Sequence, residues 1–271
     1  MNIIKMASIE KLKYYLIKTS LGKYLRKTQH LLVFLQLSIY GSSSYDKSKR
    51  TVYCISPYKT GTTYLSSLFS SKISAHEPVH YTSWKLLNKN FSKYFIKRMN
   101  YLNIKLECSG HWSAFVDDLA NDEVAKDLDY ICILRSPSSW ISSVINYWHI
   151  PPLVNFKFDF ANEFYWKDTV GVDLKSFNFE TNTEENKIII DKLIEFYFDF
   201  TNKTRLLNNV TYISLKEINE KLPIVESLIN EKANMANSFK RSNKSKKFEY
   251  KNEKIDQEYD QLTKTLLNTV D

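Results

Sequence analysis

Glycine and cysteine are scarce in this chain, and long hydrophobic runs are missing. Five glycines and six prolines in 271 residues exclude collagen-like and flexible-linker architectures. No internal repeat or low-complexity tract stands out. The three cysteines, Cys54, Cys108 and Cys132, have no C-x-x-C spacing, and each falls in or at the end of an apolar run that reads as a strand. A disulfide framework and a zinc site are therefore not expected, and three reduced core thiols in a cytoplasmic setting are. The apolar stretch from Leu31 to Tyr40 has about ten residues, where a spanning helix needs roughly 20. Residues 1–30 lack the order of a signal peptide, because the apolar stretch comes late and no small-residue cleavage site clearly follows. Neither a helix-turn-helix signature nor an interleaved aromatic and basic platform is present, so nucleic acid is not an expected partner.

What the chain does contain suits one α/β domain with a helical extension. Hydrophobic residues at 43% and charged residues at 25% are ordinary for a globular protein, and the length is enough to bury a sizeable core. The formal net charge of +8 is concentrated in residues 1–50, which carry ten Lys/Arg against Glu10 and Asp46. Leu12, Tyr15, Leu16, Leu21, Leu25, Leu32, Val33, Leu35 and Leu37 give this segment a basic amphipathic helical pattern. That pattern suits peripheral contact with a membrane surface or an acidic polymer, and equally a helix packed on the core with a solvated basic face. Residues 1–50 are read as the extension and residues 51–271 as the main domain.

After a polar connector at 41–50, strands are expected at 51–56, 72–75, 103–108 and 130–134. They alternate with helices at 61–70, 82–100, 112–127 and 138–149, which implies a parallel sheet with helices on both faces. Pro151 and Pro152 interrupt the pattern, and residues 153–182 are aromatic-rich and irregular, with a helix expected near 158–168. Helix 184–207, strand 209–214 and helices near 216–230 and 254–268 complete the chain. In such sheets ligands bind beyond the carboxyl ends of the strands.

Two motifs lie at such ends. The first is Ser56-Pro57-Tyr58-Lys59-Thr60-Gly61-Thr62-Thr63, between the β-branched run 51–55 and a helix carrying Leu65, Leu68 and Phe69. Gly61 permits a tight turn, and the start of the helix offers unpaired N–H groups and a positive dipole end. Lys59 adds a full charge and the threonines add hydroxyls, so the turn is built to hold a phosphate-like anion. The second is Arg135-Ser136-Pro137, at the exit of strand 130–134, with Ser143 two turns into the next helix. The fork of Arg135 can hold a phosphate in two places, and Ser143 supplies a neutral donor.

The first motif departs from the nucleoside-triphosphate P-loop, G-x-x-x-x-G-K-[ST], because its lysine precedes the only glycine. The order Pro-x-Lys-Thr-Gly-Thr-Thr instead resembles the 5′-phosphosulfate loop of sulfotransferases that use 3′-phosphoadenosine 5′-phosphosulfate (PAPS), with Tyr58 inserted between proline and lysine. The second motif resembles that family's 3′-phosphate signature at all three positions, Arg135, Pro137 and Ser143. The resemblance covers both nucleotide motifs and the strand order from 51 to 149. It implies a P-loop NTPase-like sulfotransferase fold, PAPS as co-substrate without a metal, and Lys59, Thr60, Gly61, Thr62 and Thr63 around the phosphosulfate.

Lys59 then matches the family lysine that neutralises charge on the leaving group. His76-Glu77-Pro78 resembles the glutamate-proline of bacterial carbohydrate sulfotransferases, which makes Glu77 the first candidate base. His111 follows the third strand, where cytosolic members carry a catalytic histidine, and ranks second, ahead of Glu107 and His80. The basic segment 240–247, with Lys244 and Lys246, resembles the late loop that closes on the adenosine 3′-phosphate; a solvated charge run reads the same. The family analogy suggests a carbohydrate or glycolipid acceptor. A P-loop phosphotransferase, or a non-enzymatic module binding membrane or polyanion through residues 1–50, are the competing readings.

Overall fold

The computed structural model describes residues 20–46, 48, 50–148, 161–237 and 248–267. Its strands are β1 (Val52–Cys54), β2 (Ser74–His76), β3 (Leu106–Cys108), β4 (Asp129–Leu134) and β5 (Asn209–Ser214). They form one five-stranded sheet in the order β2-β3-β1-β4-β5, and every pairing is parallel. Side chains alternate between its faces. Tyr53, Ile55, Tyr130, Cys132, Leu134 and Tyr212 enter one core, while Val52, Cys54, Leu106, Cys108, Ile131, Ile133 and Ile213 enter the other. Burial on both faces is what a parallel sheet requires, and it explains why the strands read as near-continuous apolar runs.

The helices are α1 (Ser20–Tyr40), α2 (Thr62–Ser67), α3 (His80–Lys89), α4 (Phe91–Leu102), α5 (Val116–Asn121), α6 (Pro137–Trp148), α7 (Glu184–Lys203), α8 (Leu222–Ile229) and α9 (Glu253–Leu267). Leu65 and Leu68 at α2, with Leu222, Val225 and Ile229 of α8, cover the second face. Phe95 and Met99 of α4, Trp140 and Val144 of α6, Leu193 and Tyr197 of α7, and Tyr259 of α9 cover the first. The chain leaves β1 for β2 on one side, and later passes from β3 across β1 to β4 on the other. Strand order therefore reverses at β1, beside β4, where a ligand crevice is expected. The three thiols are buried and free.

Several expected helices are cut shorter by their own polar residues. The helix expected at 82–100 breaks at Asn90, whose extended backbone and side chain cap α4 by accepting from the Lys93 N–H. The helix expected at 112–127 becomes a 3-10 turn at Gly110–Ala114, the short α5, and a second 3-10 turn at Ala125–Asp127. Asp122 ends α5 by accepting from the amides of Val124 and Ala125. The helix expected from 216 starts only at Leu222, with Pro223 in its first turn. The segment expected as a helix near 158–168 is a π-helical stretch at Ala161–Val170, and residues 149–160 lie outside the described residues.

Of the amphipathic extension, Leu12, Tyr15 and Leu16 also lie outside them. Leu37 of α1 is buried in the main core, and α1 packs on α3 and α4. Leu31, Leu32, Leu35, Ile39 and Tyr40 remain exposed along the same helix. Among the described residues, no helix is long and apolar enough to cross a membrane.

Candidate functional site

The turn after β1 is fastened to β4 before it reaches α2. Ser56 is buried, and its Oγ accepts from the Ile133 N–H at 2.5 Å. Lys59 and Gly61 then take positive φ values, 72° and 120°. Only glycine adopts the second without strain, and a Cβ at Gly61 would fall 2.6 Å from Leu215 Cδ1. The Thr60 hydroxyl turns inward and donates to the Pro57 carbonyl at 2.7 Å. Among the described residues, the N–H groups of Gly61, Thr62 and Thr63 meet no backbone acceptor, as at any helix start. Thr63 is exposed and Thr62 buried.

Tyr58, between Pro57 and Lys59, anchors the turn. Its carbonyl accepts from Trp140 Nε1 at 2.8 Å. Its ring is buried edge-on against Tyr165, 4.6 Å between centroids, and against Trp148 at 5.5 Å. Gly110 makes room for it, since a Cβ there would lie 2.6 Å from the Tyr58 ring.

The structure brings the two sequence motifs together. Arg135 Nη1 donates to the Lys59 carbonyl at 2.7 Å, while Nε and Nη2 both donate to Ser139 Oγ at 2.9 and 2.8 Å. Tyr197 clasps the Arg135 backbone, accepting from its N–H and donating to its carbonyl. Ser143 lies one turn beyond Ser139 on α6 and is half-buried. Arg135, Ser139 and Ser143 are thus spaced i, i+4, i+8, along one helical stripe. Ser139 escaped the sequence reading, although this spacing was its signal.

On the next face of α6, Ser138, Ser142 and Asn146 make a polar ladder with residues 248–252. Asn252, Tyr250 and Phe248 donate their N–H groups to Ser138 Oγ, Ser142 Oγ and Asn146 Oδ1 at 2.9, 2.9 and 3.0 Å. Asn146 Nδ2 returns a bond to the Phe248 carbonyl at 2.6 Å. The match is geometric: four helical residues rise about 6 Å and two extended residues span about 6.6 Å. Lys244 and Lys246, just before this ladder, lie outside the described residues.

The candidate bases fare differently. Glu77 follows β2 with φ 50°, and its side chain is 10% exposed. Burial first, then the charge of Glu77, pushes the Tyr58 and Tyr147 phenols above their ordinary range. Burial also raises the Tyr165 phenol, with Ser113 opposing and Glu77 adding. The charge of Glu77 thus bears on three phenols, and Lys59 Nζ lies 3.6 Å from the centroid of one of them, Tyr147, in cation–π contact.

His76, beside Glu77, reaches across to α2. Its Nε2 is 3.0 Å from Thr63 Oγ1, 3.4 Å from Thr62 Oγ1 and 3.6 Å from Glu77 Oε1. The sequence reading gave His76 no role, and neither did it find Tyr147 as the partner of Lys59.

Glu107 is not placed to act as a base. It is buried in a bidentate pair with Arg98, and also accepts from Ser109 Oγ at 2.7 Å and Trp112 Nε1 at 2.9 Å. Arg98 in turn donates to Ser83 Oγ and to the Pro78 carbonyl. His111 is fully buried, its ring 4.7 Å from that of Trp112. His80 opens α3, and its ring is not among the described side chains.

A cavity of about 120 Å³ opens elsewhere, lined by Asp117, Thr169, Phe196, Asp199 and Lys203 among others, and includes none of the turn residues. Its lysine is already held by Asp117 and Asp199 at 2.8 and 3.0 Å. What converges at the carboxyl ends of β1, β2 and β4 is Arg135 against the Lys59 carbonyl, and His76 against Thr62, Thr63 and Glu77. Comparison with protein-family models, curated proteins and solved structures finds no match to this chain.

Proposed function

We propose that this chain is a sulfotransferase that moves the sulfuryl group of PAPS to a hydroxyl or amine, with a carbohydrate or glycolipid as acceptor. One observation carries the reading most: Arg135 Nη1 lies 2.7 Å from the Lys59 carbonyl, so two motifs 76 residues apart in sequence form one site. The donors fit a nucleotide with anionic groups at two ends. Thr63 and the free amides at the start of α2 face one of them, and Arg135 with Ser143 faces the other; Lys244 and Lys246 join the second by family resemblance. PAPS supplies an electrophilic sulfur on a phosphate leaving group. Lys59 offsets charge developing on that leaving group, and Glu77 accepts the acceptor's proton as its oxygen or nitrogen bonds to sulfur.

Glu77 is favoured over His111 because it stands at the site's partly open edge, while His111 is sealed against Trp112. The exposed stripe Leu31, Leu32, Leu35, Ile39 and Tyr40 supports peripheral membrane contact by a cytoplasmic protein. The test is transfer of label from radiolabelled PAPS across a panel of sugars, glycolipids and amines. Labelled product from the wild type, lost in Lys59→Ala, is expected. No product from any acceptor, with phosphate transfer from Mg-ATP instead, would overturn the proposal in favour of a phosphotransferase.

A further inference from the structure

His76 occupies a position from which it controls what the phosphosulfate turn can offer an anion. Its Nε2 sits 3.0 Å from the hydroxyl oxygen of the exposed Thr63 and 3.4 Å from that of the buried Thr62. A hydroxyl has one proton to give and lone pairs to receive. If Nε2 carries a proton, it donates to Thr63 Oγ1, and the threonine proton is released to point at a bound anion. If Nε2 carries a lone pair, the Thr63 proton is drawn to the imidazole, and the hydroxyl turns its lone pairs toward the anion. The first arrangement attracts a phosphate-type group and the second repels it.

Protonation of the ring also places a full positive charge beside the start of α2, on the opposite side of the turn from Arg135. We propose that His76 is an anion-orienting residue of this site, whose protonated form turns the Thr63 hydroxyl into a donor for the 5′-phosphate end of the nucleotide. The inference rests on the reading of the turn as a PAPS site and adds a residue to it. The surroundings favour the charged ring. Glu77 Oε1 lies 3.6 Å from Nε2, and the bound anion adds a second negative neighbour.

Among the described residues, the other titratable groups at this face include the phenols of Tyr58, Tyr147 and Tyr165, on which the Glu77 charge bears, and the Lys59 ammonium over Tyr147. Cys108, paired with His76 across β2 and β3, has its thiol pushed up by burial. The tyrosines and Cys108 are thus held neutral through the range in which an imidazole titrates, near 6.5. A neutral ring with its proton on Nε2 orients the Thr63 hydroxyl in the same way, so proton uptake on binding follows from the imidazolium charge beside the anion, and affinity rises as pH falls.

The test is calorimetric binding of 3′,5′-adenosine bisphosphate from pH 5.5 to 8.5, on the wild type, His76→Gln and His76→Leu. In the wild type the affinity falls by up to about tenfold per pH unit between the free-state and the bound-state imidazole values and levels off above the latter, and heats measured in buffers of different ionisation enthalpy show proton uptake. Gln, whose amide nitrogen stands in for a permanent Nε2–H donor, retains binding but flattens the profile. Leu lowers affinity at low pH, where the wild-type ring is charged, matches or exceeds the wild type at high pH, where the Thr63 proton is no longer drawn to an imidazole, and flattens the profile. The phosphate's own second ionisation, near 6, is common to all three proteins and is removed by comparing them. Wild-type binding with the same profile as His76→Leu overturns the role of His76 and leaves the PAPS reading standing. Absence of binding at every pH overturns both.

Discussion

The exits of β2 and β3 are neighbours in the sheet, and each carries a glutamate and a histidine, yet one is closed and the other open. At β3, Glu107 is 1% exposed and saturated by Arg98, Ser109 and Trp112, while His111 is 0% exposed against Trp112. At β2, Glu77 and His76 keep 10% and 26% of their side-chain surface and face the turn after β1. Glu107, buried with both oxygens accepting hydrogen bonds, holds structure together. Glu77 keeps an exposed edge in a left-handed backbone, and its charge bears on the phenols of Tyr58, Tyr147 and Tyr165. The closed exit also supports the open one, because Arg98 donates to the carbonyl of Pro78, the residue after Glu77.

The largest effect expected from breaking this contrast is at the closed exit. Arg98→Ala leaves Glu107 as a buried carboxylate without its partner, a change worth about 3–5 kcal/mol. Denaturant unfolding is expected to show a loss of that size, and a loss below 1 kcal/mol would mean that the pair does not organise this edge. At the open exit, Glu77→Gln is expected to lower turnover by about 10²–10⁴-fold with an unchanged unfolding midpoint. His111→Phe, at a fully buried position, is expected to keep turnover in the molecules that fold, whatever its cost in stability. The opposite pattern in the two variants would exchange the roles of the two exits.

A smaller effect serves as a control at the far edge of the sheet. Burial pushes the Tyr212 phenol on β5 up to about 12, against the Thr204 hydrogen bond, which lowers it. Its folded value lies above the unfolded one near 10, so its contribution to stability is complete below pH 10 and is lost as pH rises toward 12. Tyr212→Phe should lessen the alkaline fall in stability, to which the other buried tyrosines still contribute, without altering the response of either exit.

Much of this fold could be read from the sequence where one local signal governs. Asp129–Leu134 is a run of apolar residues bounded by turns, and the order of strands and helices follows from such runs. Helix ends were harder, because Asn90 and Asp122 stop helices through single side-chain hydrogen bonds. The turn at Ser56 to Thr63 was legible as a tight strand-to-helix connection, since Gly61 acts locally. Its wiring was not: Tyr58 looks like an insertion and proves to be an anchor held by Trp140, 82 residues on. Glu107 could not be separated from Glu77 in sequence, because what distinguishes them is the approach of Arg98 from α4. The π-helical turn at Ala161–Val170 has no clear periodicity to announce it.

The central claim is that the turn after β1 and Arg135 form one site for a PAPS-type nucleotide. The most direct measurement is the melting temperature with 3′,5′-adenosine bisphosphate, without magnesium, on the wild type, Lys59→Ala and Arg135→Ala. Ligand at 100 times its dissociation constant stabilises by about 2.7 kcal/mol, or roughly 5–10 °C at this chain length. The account predicts that shift in the wild type and its loss in both variants. A shift only with Mg-ATP, or none with either nucleotide, would contradict it.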